Sequence, residues 1–544
     1  MRIRSLRSAP RPQTALDTTE PGASGATSPW RVFWLSWLLL SLLSACWSIA
    51  TPISASPDEP AHMVKAASVA RGQLIGELSS TGHVVQVPAY VAFTHMQACY
   101  AFDSAKTADC STDATGDTGG LVSTTTTAGL YNPIYYALVG WPTVFIDNEL
   151  GIYAMRVLSG ILSSLFVAFA FLMVSTWRSR ALPLLGLAVA ITPMVLFLGG
   201  SVNPNGVEAT ATLALFVGML SIVLHHTPQF LAQRAILLSI SAIAALNTRG
   251  LSPLWVGLAI VIPLFLLTWR ELISLLRKRA ILFSILSIGI GAILALAWLL
   301  GSNSLGVSTI NAAPDFAYPG TGGTPLFGFT YVLEDTFRFS QGIVGIFGWL
   351  DTPAPLAVYF LWAVLVGGLL LAAATLLKGR ALAVAITLTV SFLVFPALIQ
   401  AAFVTSGGLI WQGRYNLPLF VCLVFGLASL IATSKQLGFS SVSSRFSAVV
   451  LAAVAVGQMY AYITAIRRYA VGYTGSWKTF LIDPAWTAPG GNMLWLAATA
   501  AILCVSAFLL FRALGIRHAS PSGGTTANPA PDTETAIVTP GNRF

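Results

Sequence analysis

Six consecutive residues, Pro57 to His62, bring two carboxylates and an imidazole together in a chain that otherwise contains little charge. Asp58 and Glu59 are adjacent, and they directly follow the first long apolar run. A carboxylate in such a place can accept a proton from a bound hydroxyl group, so Asp58 or its neighbour Glu59 is a candidate general base. The alternative is that Asp58 only caps the helix that follows, while Glu59 is solvated.

His62 follows Glu59 at the spacing of one helical turn. This Glu-x-x-His arrangement binds metals in some helical bundles, although one such pair without further ligands is a weak signal. We therefore predict that His62 is a hydrogen-bonding partner beside the substrate, and a divalent metal remains possible. No Gly-x-x-x-x-Gly-Lys phosphate loop is present, which disfavours an ATP-driven machine.

Arginines stand near the ends of several later apolar runs. Arg249, Arg338 and Arg414 could form a cationic site for a phosphate, because a guanidinium pairs with two phosphate oxygens at once. The alternative for each is pairing with an acidic residue of a neighbouring loop. Further polar and aromatic residues at the same run ends are predicted to bind substrate: Tyr135, Arg156, Asn203, Trp349, Asp351, Gln412 and Tyr415.

Aromatic side chains are frequent among these run ends, as at Tyr131, Tyr136 and Trp411. They could stack on the faces of sugar rings. A belt of tyrosine and tryptophan at the membrane surface predicts the same residues, and for any single one we favour the belt.

The composition places these residues in a membrane protein. Of the 544 residues, 55% are hydrophobic and 9% are charged, against roughly one quarter charged in soluble domains. The net charge of +9 comes mostly from short basic segments between apolar runs, where it acts as a topology signal and does not indicate nucleic-acid binding.

Runs long enough to cross the hydrocarbon core as helices predict an all-α fold with about twelve transmembrane helices. The predicted spans lie near Trp30–Thr51, Gly151–Trp177, Ala181–Gly200, Gly206–Leu224, Ala235–Leu246, Leu251–Leu267, Ala280–Leu300, Pro355–Leu377, Ala381–Val404, Leu417–Thr433, Phe446–Ile466 and Met493–Phe511. Tyr131–Ile146 is also apolar, but a span there would move Arg178 and Arg180 to the other side, so we predict an interfacial helix.

The order of charges predicts the orientation. With these spans the basic segments share one side, which the positive-inside rule makes cytoplasmic, together with both termini. Most acidic residues, Asp58 among them, then lie outside. The predicted organisation is a polytopic domain with three outer loops between two disordered cytoplasmic tails: tails 1–29 and 513–544, membrane domain 30–512, and outer loops 52–129, 301–353 and 467–491.

The first outer loop carries two local predictions. Asp58 to Arg71 reads as a short helix on the membrane surface, with Ser56 as its cap. Cys99 and Cys110 lie in the same loop, where oxidising conditions permit a disulfide; the alternative is two free thiols.

Several of these motifs occur in the order of a known family. Pro57–His62, the Asn203-Pro204 turn, the Gly345–Pro353 run and Gln412–Tyr415 together resemble the bacterial membrane family known as domain of unknown function 2142. That family in turn resembles the GT-C superfamily of polytopic glycosyltransferases, which take a sugar from a polyprenyl-phosphate carrier and pass it to an acceptor outside the cytoplasmic membrane.

The resemblance implies a GT-C-like membrane glycosyltransferase in the bacterial cytoplasmic membrane. Its donor would be a polyprenyl-phosphate-linked sugar and its acceptor a cell-envelope glycan, lipid or protein. Asp58 or Glu59 would be the base, and displacement in line would invert the anomeric centre. The alternatives are a transporter or flippase for a lipid-linked glycan, which would usually place ionisable or helix-breaking residues near the bilayer midplane, and a noncatalytic scaffold for envelope assembly.

Overall fold

The computed structural model describes residues 28–111, 120–225, 227–304, 318–434 and 442–514, and these are mostly helical. Ten of the described helices are long and apolar enough to cross a membrane. They are α1 (Pro29–Ala50), α5 (Leu150–Ser175), α8 (Pro204–Leu224), α9 (Pro228–Leu246), α12 (Arg279–Gly301), α15 (Leu356–Leu376), α16 (Gly379–Gly407), α17 (Leu417–Ala432), α18 (Ser444–Val471) and α20 (Asn492–Ala513). The predicted all-α, multi-span class is therefore confirmed.

The two remaining apolar runs do not form straight, full-length helices. One is broken into α6 (Ala181–Ala190) and α7 (Pro193–Gly199), which meet at 63°. The break follows from Pro193, which cannot donate a helical hydrogen bond and begins α7 behind the capping side chain of Thr192. The other is α10 (Ser252–Leu264), which has only 13 residues. The described helices thus give ten spans, or eleven with the bent pair, where about twelve were predicted.

The centre of the bundle is α8, of which nearly every residue is buried. It packs against α5, α9, α10 and α17, and α1 packs along α5. By contrast α12, α15 and α20 lie at the periphery and expose most of their apolar side chains.

Residues 51–111 and 120–149 form a compact layer on one end of the bundle, which we call the loop face. Its elements are α2 (Glu59–Val69), β1 (Glu77–Ser79), β2 (Gly82–Pro88), α3 (Ala89–Ala92), α4 (Pro133–Gly140), β3 (Leu121–Thr126) and 3₁₀ turns at Phe93–Gln97, Ala108–Cys110 and Trp141–Val144. The strands form an antiparallel sheet in the order β1-β2-β3. Cys99 and Cys110 are joined in a disulfide, with their Cα atoms 6.1 Å apart.

Helix α2 matches the predicted helix in sequence but not in position. It is buried within the loop-face layer, so that Met63, Ala66 and Ala67 are fully inaccessible. Gly140 of α4 packs so closely that a Cβ atom there would lie 2.0 Å from the carbonyl oxygen of Ala66. The apolar stripe of α2 therefore packs against α4 and the β2-β3 strands instead of resting on a membrane surface.

Helix α4 occupies the apolar stretch that the charge pattern excluded as a span. It ends after eight residues, far fewer than the roughly 20 needed to cross the hydrocarbon core. Tyr135 and Tyr136 on one face are buried, whereas Ile134, Leu138 and Trp141 are exposed. This division is typical of a helix that rests one apolar face on a membrane surface.

Elements from distant parts of the chain complete the loop face, and we include them under that name. They are α13 (Pro325–Glu334), α14 (Thr336–Val344), the two-stranded hairpin of β4 (Ile346–Phe347) and β5 (Thr352–Pro353), the 3₁₀ turn Gly413–Asn416 that leads into α17, and α19 (Trp477–Ile482). Helix α11 (Trp269–Leu276) lies at the opposite end. The predicted tails fall almost entirely in 1–27 and 515–544, outside the described residues.

Candidate active site

Asp58 occupies the N-cap position of α2, but its side chain does not cap the helix. Its backbone lies in the left-handed region, with φ of 62°, and the carboxylate is 53% exposed. Oδ2 accepts a hydrogen bond of 2.7 Å from Nη2 of Arg414. Ser56, the predicted cap, instead donates its backbone N–H to the Glu59 carboxylate. The capping interpretation of Asp58 is therefore wrong, and the carboxylate is directed to the loop face.

Glu59 faces the other way, into the protein. Arg156 binds it through two hydrogen bonds, of 2.8 Å to Oε1 and 2.6 Å to Oε2. The backbone N–H of Val202 also donates to Oε1, and the two charged side chains are at most 1% exposed. With both oxygens occupied and no access for an acceptor, Glu59 cannot be the base that we predicted as one of two options.

Arg156 likewise belongs to this structural pair. It donates to the carbonyl oxygens of Ser48, Thr51 and Pro52, where α1 ends, and so has no free N–H for a substrate. Its predicted substrate-binding role is wrong for a physical reason. A buried guanidinium needs an acceptor for each of its donors, and the end of α1 supplies them.

Arg414 and Arg249 converge beside Asp58. Their guanidinium carbons lie 5.3 Å and 4.7 Å from the centre of the Tyr415 ring. The Arg414 side chain is 2% exposed, and its Nε and Nη1 are buried with no hydrogen-bond partner among the described residues. Such donors are costly unless an acceptor arrives. Arg414 therefore has N–H groups available to bind an anion.

Arg249 is held by a carboxylate that the sequence analysis missed. Glu208, which is buried one turn into α8, contacts Arg249 at 3.4 Å and accepts a 2.6 Å hydrogen bond from Ser252. In the sequence Glu208 is a single acidic residue within an apolar run, and such a residue usually has a function or pairs with another polar group.

The local charges keep Asp58 ionised. Partial enclosure by protein would raise its pKa, but Arg414, and to a lesser extent His62 and Arg249, hold the pKa of Asp58 below its ordinary value. A base must be deprotonated before it can act, so this environment supplies the reactive form at neutral pH.

His62 lines the same site from α2. Its Nδ1 is 2.8 Å from the Tyr136 hydroxyl, and its ring meets the Tyr131 ring edge to face. Burial lowers the pKa of His62 to about 4; Asp58 opposes this shift, while Arg249 and Arg414 add to it. The imidazole is therefore neutral at pH 7.

This lowered pKa predicts a pH dependence of stability. Below about pH 6.5 His62 is protonated in the unfolded chain, but in the folded protein it stays neutral down to about pH 4. The free energy of unfolding therefore falls as the pH drops from about 6.5 to about 4. The His62 contribution is at most about 3 kcal/mol. We expect His62→Gln to flatten the melting temperature between pH 6.5 and 4, measured in detergent, relative to the exposed-histidine control His95→Gln. An unchanged slope would contradict the assignment.

Asn203 and Tyr135 lie on the interior side of the Pro57-Asp58 turn. The Asn203 side chain caps α8 at Asn205 and donates to the carbonyl oxygen of Pro57, at 3.2 Å. Tyr135 is buried, with its hydroxyl 2.9 Å from that of Ser159. Both were predicted to bind substrate, but the structure places them behind the Pro57-Asp58 turn. The buried Oδ1 of Asn205 has no partner among the described residues.

Gln412 and Tyr415 lie on either side of Arg414 along the chain, in a tightly packed turn. A Cβ atom on Gly413 would lie 1.9 Å from the carbonyl oxygen of Phe339 on α14, so only glycine allows this approach. The turn directs Arg414 inward, and the buried Oε1 of Gln412 lacks a partner among the described residues.

Three predicted site residues lie elsewhere. Arg338 is 60% exposed and pairs with Asp335 on its own surface at 2.7 Å, so it is not part of the cationic pair. Asp351 is buried against Arg468 at 3.0 Å. Trp349 donates its indole N–H to the carbonyl oxygen of Ser54. The hairpin that carries these last two residues therefore fixes the segment before Asp58, and neither of its side chains is free for substrate.

The described residues contain no group of three or more His, Cys, Asp or Glu side chains placed to hold a metal ion. Glu59 and His62, the pair considered for a metal, turn to different partners, Arg156 and Tyr136.

Comparisons with known proteins identify the family of the chain but assign it no chemical activity. A search of curated proteins finds no match. A family model described as a predicted membrane protein, DUF2142, matches residues 40–423. This range covers most of the chain and includes Asp58, Arg249 and Arg414, and the chain accordingly belongs to the DUF2142 family of membrane proteins.

Proposed function

We propose that the protein is a membrane glycosyltransferase that transfers a sugar from a polyprenyl-phosphate carrier to a hydroxyl of a cell-envelope acceptor. The observation that carries the proposal is Asp58, ionised and half exposed, in contact with the buried Arg414, whose Nε and Nη1 have no hydrogen-bond partner among the described residues. A base and an anion site thus adjoin at the end of a membrane bundle, which is what a lipid-phosphate donor and a polar acceptor require.

The proposed reaction assigns one task to each group. The acceptor hydroxyl gives its proton to Oδ1 of Asp58, the oxygen that does not contact Arg414, while its oxygen forms a bond to the anomeric carbon. The bond from that carbon to the phosphate oxygen breaks, and its electron pair leaves with the phosphate. Arg414 and Arg249 stabilise the charge that develops on the departing phosphate. Attack opposite to the leaving group inverts the anomeric centre.

The positions of the charged residues favour a reaction at the membrane surface over transport of a substrate across the membrane. In the ten described spans every Asp, Glu, Lys, Arg and His lies within the first or last seven residues. A transporter would need ionisable groups nearer mid-membrane. The break between α6 and α7 is the feature that most favours transport, but its polar groups pair within the protein: Gln458 of α18 donates to the carbonyl oxygen of Ile191, and Thr192 donates to that of Ile343.

The orientation follows from the same distribution. Arg31, Arg178, Arg380 and Arg512 lie at the end of the bundle opposite the loop face. We infer that this end is cytoplasmic and that the loop face, with Asp58, is outside a bacterial cytoplasmic membrane.

Arg414 provides the first test. The assay uses purified protein in detergent with labelled polyprenyl-phosphate sugars and candidate acceptors. We expect Arg414→Lys to raise the KM for the lipid donor by about tenfold or more, because lysine keeps the charge but cannot donate two parallel hydrogen bonds to a phosphate. Arg338→Lys is the matched control, since Arg338 makes an equally short contact to an aspartate on the exposed surface.

Two outcomes would contradict the proposal. One is an unchanged KM in Arg414→Lys with wild-type transfer. The other is movement of intact lipid-linked glycan across proteoliposomes without sugar transfer, which would favour the transporter.

A further inference from the structure

A deep apolar groove lies at the cytoplasmic end of the bundle, away from Asp58. It has a volume of about 380 Å³ and is lined by α1, α5, α6, α7, α18 and α20. Leucines such as Leu39, Leu43 and Leu503 dominate its walls. Leu35 at its side is 45% exposed, so the groove opens towards the membrane.

Two arginines stand at the mouth of the groove. Arg31 is the first lining residue on α1, and Arg512 lies in the last turn of α20. Neither side chain pairs with a carboxylate among the described residues, and Arg512 only packs over the Phe508 ring, at 5.0 Å. Two guanidinium groups without a carboxylate partner in the described part of the chain, above an apolar channel, are complementary to a phosphate that carries an apolar chain.

The depth of the groove matches one leaflet. From Arg31 to Leu43 the lining follows α1 for twelve residues, or about 18 Å at the rise of an α-helix. The hydrocarbon core of a bilayer is about 30 Å thick, so a chain that fills the groove reaches approximately to the midplane. A polyprenyl-phosphate donor at Asp58 would have its phosphate at the opposite end, so this groove does not belong to the proposed active site.

We propose that this groove binds an anionic glycerophospholipid of the cytoplasmic leaflet, with one acyl chain between α1 and α20 and the headgroup phosphate between Arg31 and Arg512. The lipid would fill the space between α20 and the rest of the bundle. This inference holds whether or not the protein transfers sugars.

The test measures lipid binding to the full-length protein in detergent by native mass spectrometry, comparing phosphatidylglycerol with phosphatidylcholine of identical acyl chains. We expect the wild type to bind phosphatidylglycerol roughly 25-fold more tightly, which corresponds to about fivefold for each arginine. The double variant Arg31→Gln/Arg512→Gln should lose this preference. The control Arg380→Gln/Arg445→Gln, which removes two arginines of the same end outside the groove, should keep it.

A second variant separates the groove from general surface charge. Ala507→Trp fills the groove but leaves both arginines in place, so it should lose the bound phosphatidylglycerol while its melting temperature without lipid stays near that of the wild type. Equal wild-type binding of the two lipids, a preference that survives in Arg31→Gln/Arg512→Gln, or undiminished phosphatidylglycerol binding by a folded Ala507→Trp would each overturn the proposal.

Discussion

Replacing Asp58 by asparagine is expected to lower the rate of sugar transfer by about 10²- to 10⁴-fold, the usual contribution of a positioned general base. The amide keeps the size of the side chain and can still accept a hydrogen bond from Arg414, but it cannot take the acceptor's proton. Asp58 is half exposed, but its charge offsets that of the buried Arg414, so the variant should fold with a moderately lowered melting temperature. The measurement is turnover with saturating donor and acceptor.

Asp335→Asn is the matched control for this variant. Asp335 also contacts an arginine at 2.7 Å on the loop face, but it directly precedes α14, and its partner Arg338 is exposed where Arg414 is buried. We expect full transfer activity from it. A folded Asp58→Asn protein with wild-type turnover would show that Asp58 is not the base, whatever the control does.

The second large effect concerns the pair behind the site. Arg156→Met leaves Glu59 buried without its partner and three carbonyl oxygens at the end of α1 without their donor. Breaking a buried ion pair on one side costs about 3–5 kcal/mol, a large part of the total stability of most proteins. We therefore expect a strongly lowered melting temperature and poor yield in detergent, together with loss of all function.

The double variant Glu59→Leu/Arg156→Met distinguishes structure from catalysis. It removes both charges, so it should be more stable than Arg156→Met alone, although the carbonyl oxygens at the end of α1 stay unpaired. Glu59→Gln, which retains an acceptor for Arg156, should be destabilised less and should keep measurable transfer. If Glu59→Gln folds normally and is as inactive as Asp58→Asn, Glu59 has a chemical role that its buried position does not explain.

Asp58 and Glu59 show how closely two neighbouring residues can differ in role. The left-handed backbone at Asp58 directs the first carboxylate to the surface, while Glu59 begins α2 and turns inward. The helix that contains them was predictable from its prolines and apolar spacing. The direction of each carboxylate was not, because their arginine partners are distant in the chain, 97 residues away for Glu59 and 356 for Asp58.

The same distinction applies to the three arginines proposed for phosphate. Arg249 and Arg414 stand near the ends of apolar runs, whereas Arg338 lies within the predicted outer loop 301–353, three residues after Asp335. In the structure Arg249 and Arg414 share the Tyr415 ring, whereas Arg338 faces solvent beside Asp335, one helical turn away. Glu208, the counter-ion of Arg249, was missed for the same reason, since its partner lies 41 residues further along the chain.

The sequence by itself determined that the chain is a polytopic helical membrane protein, where its apolar segments lie, and that Tyr131–Ile146 does not span. These properties depend on the transfer of local segments into lipid and on charge balance across it, so each stretch of about 20 residues carries its own information. Only the tertiary structure decided which carboxylate is free, which arginines meet, and where α6 breaks from α7. Those outcomes depend on hydrogen-bond satisfaction in a buried site, to which residues from many distant segments contribute.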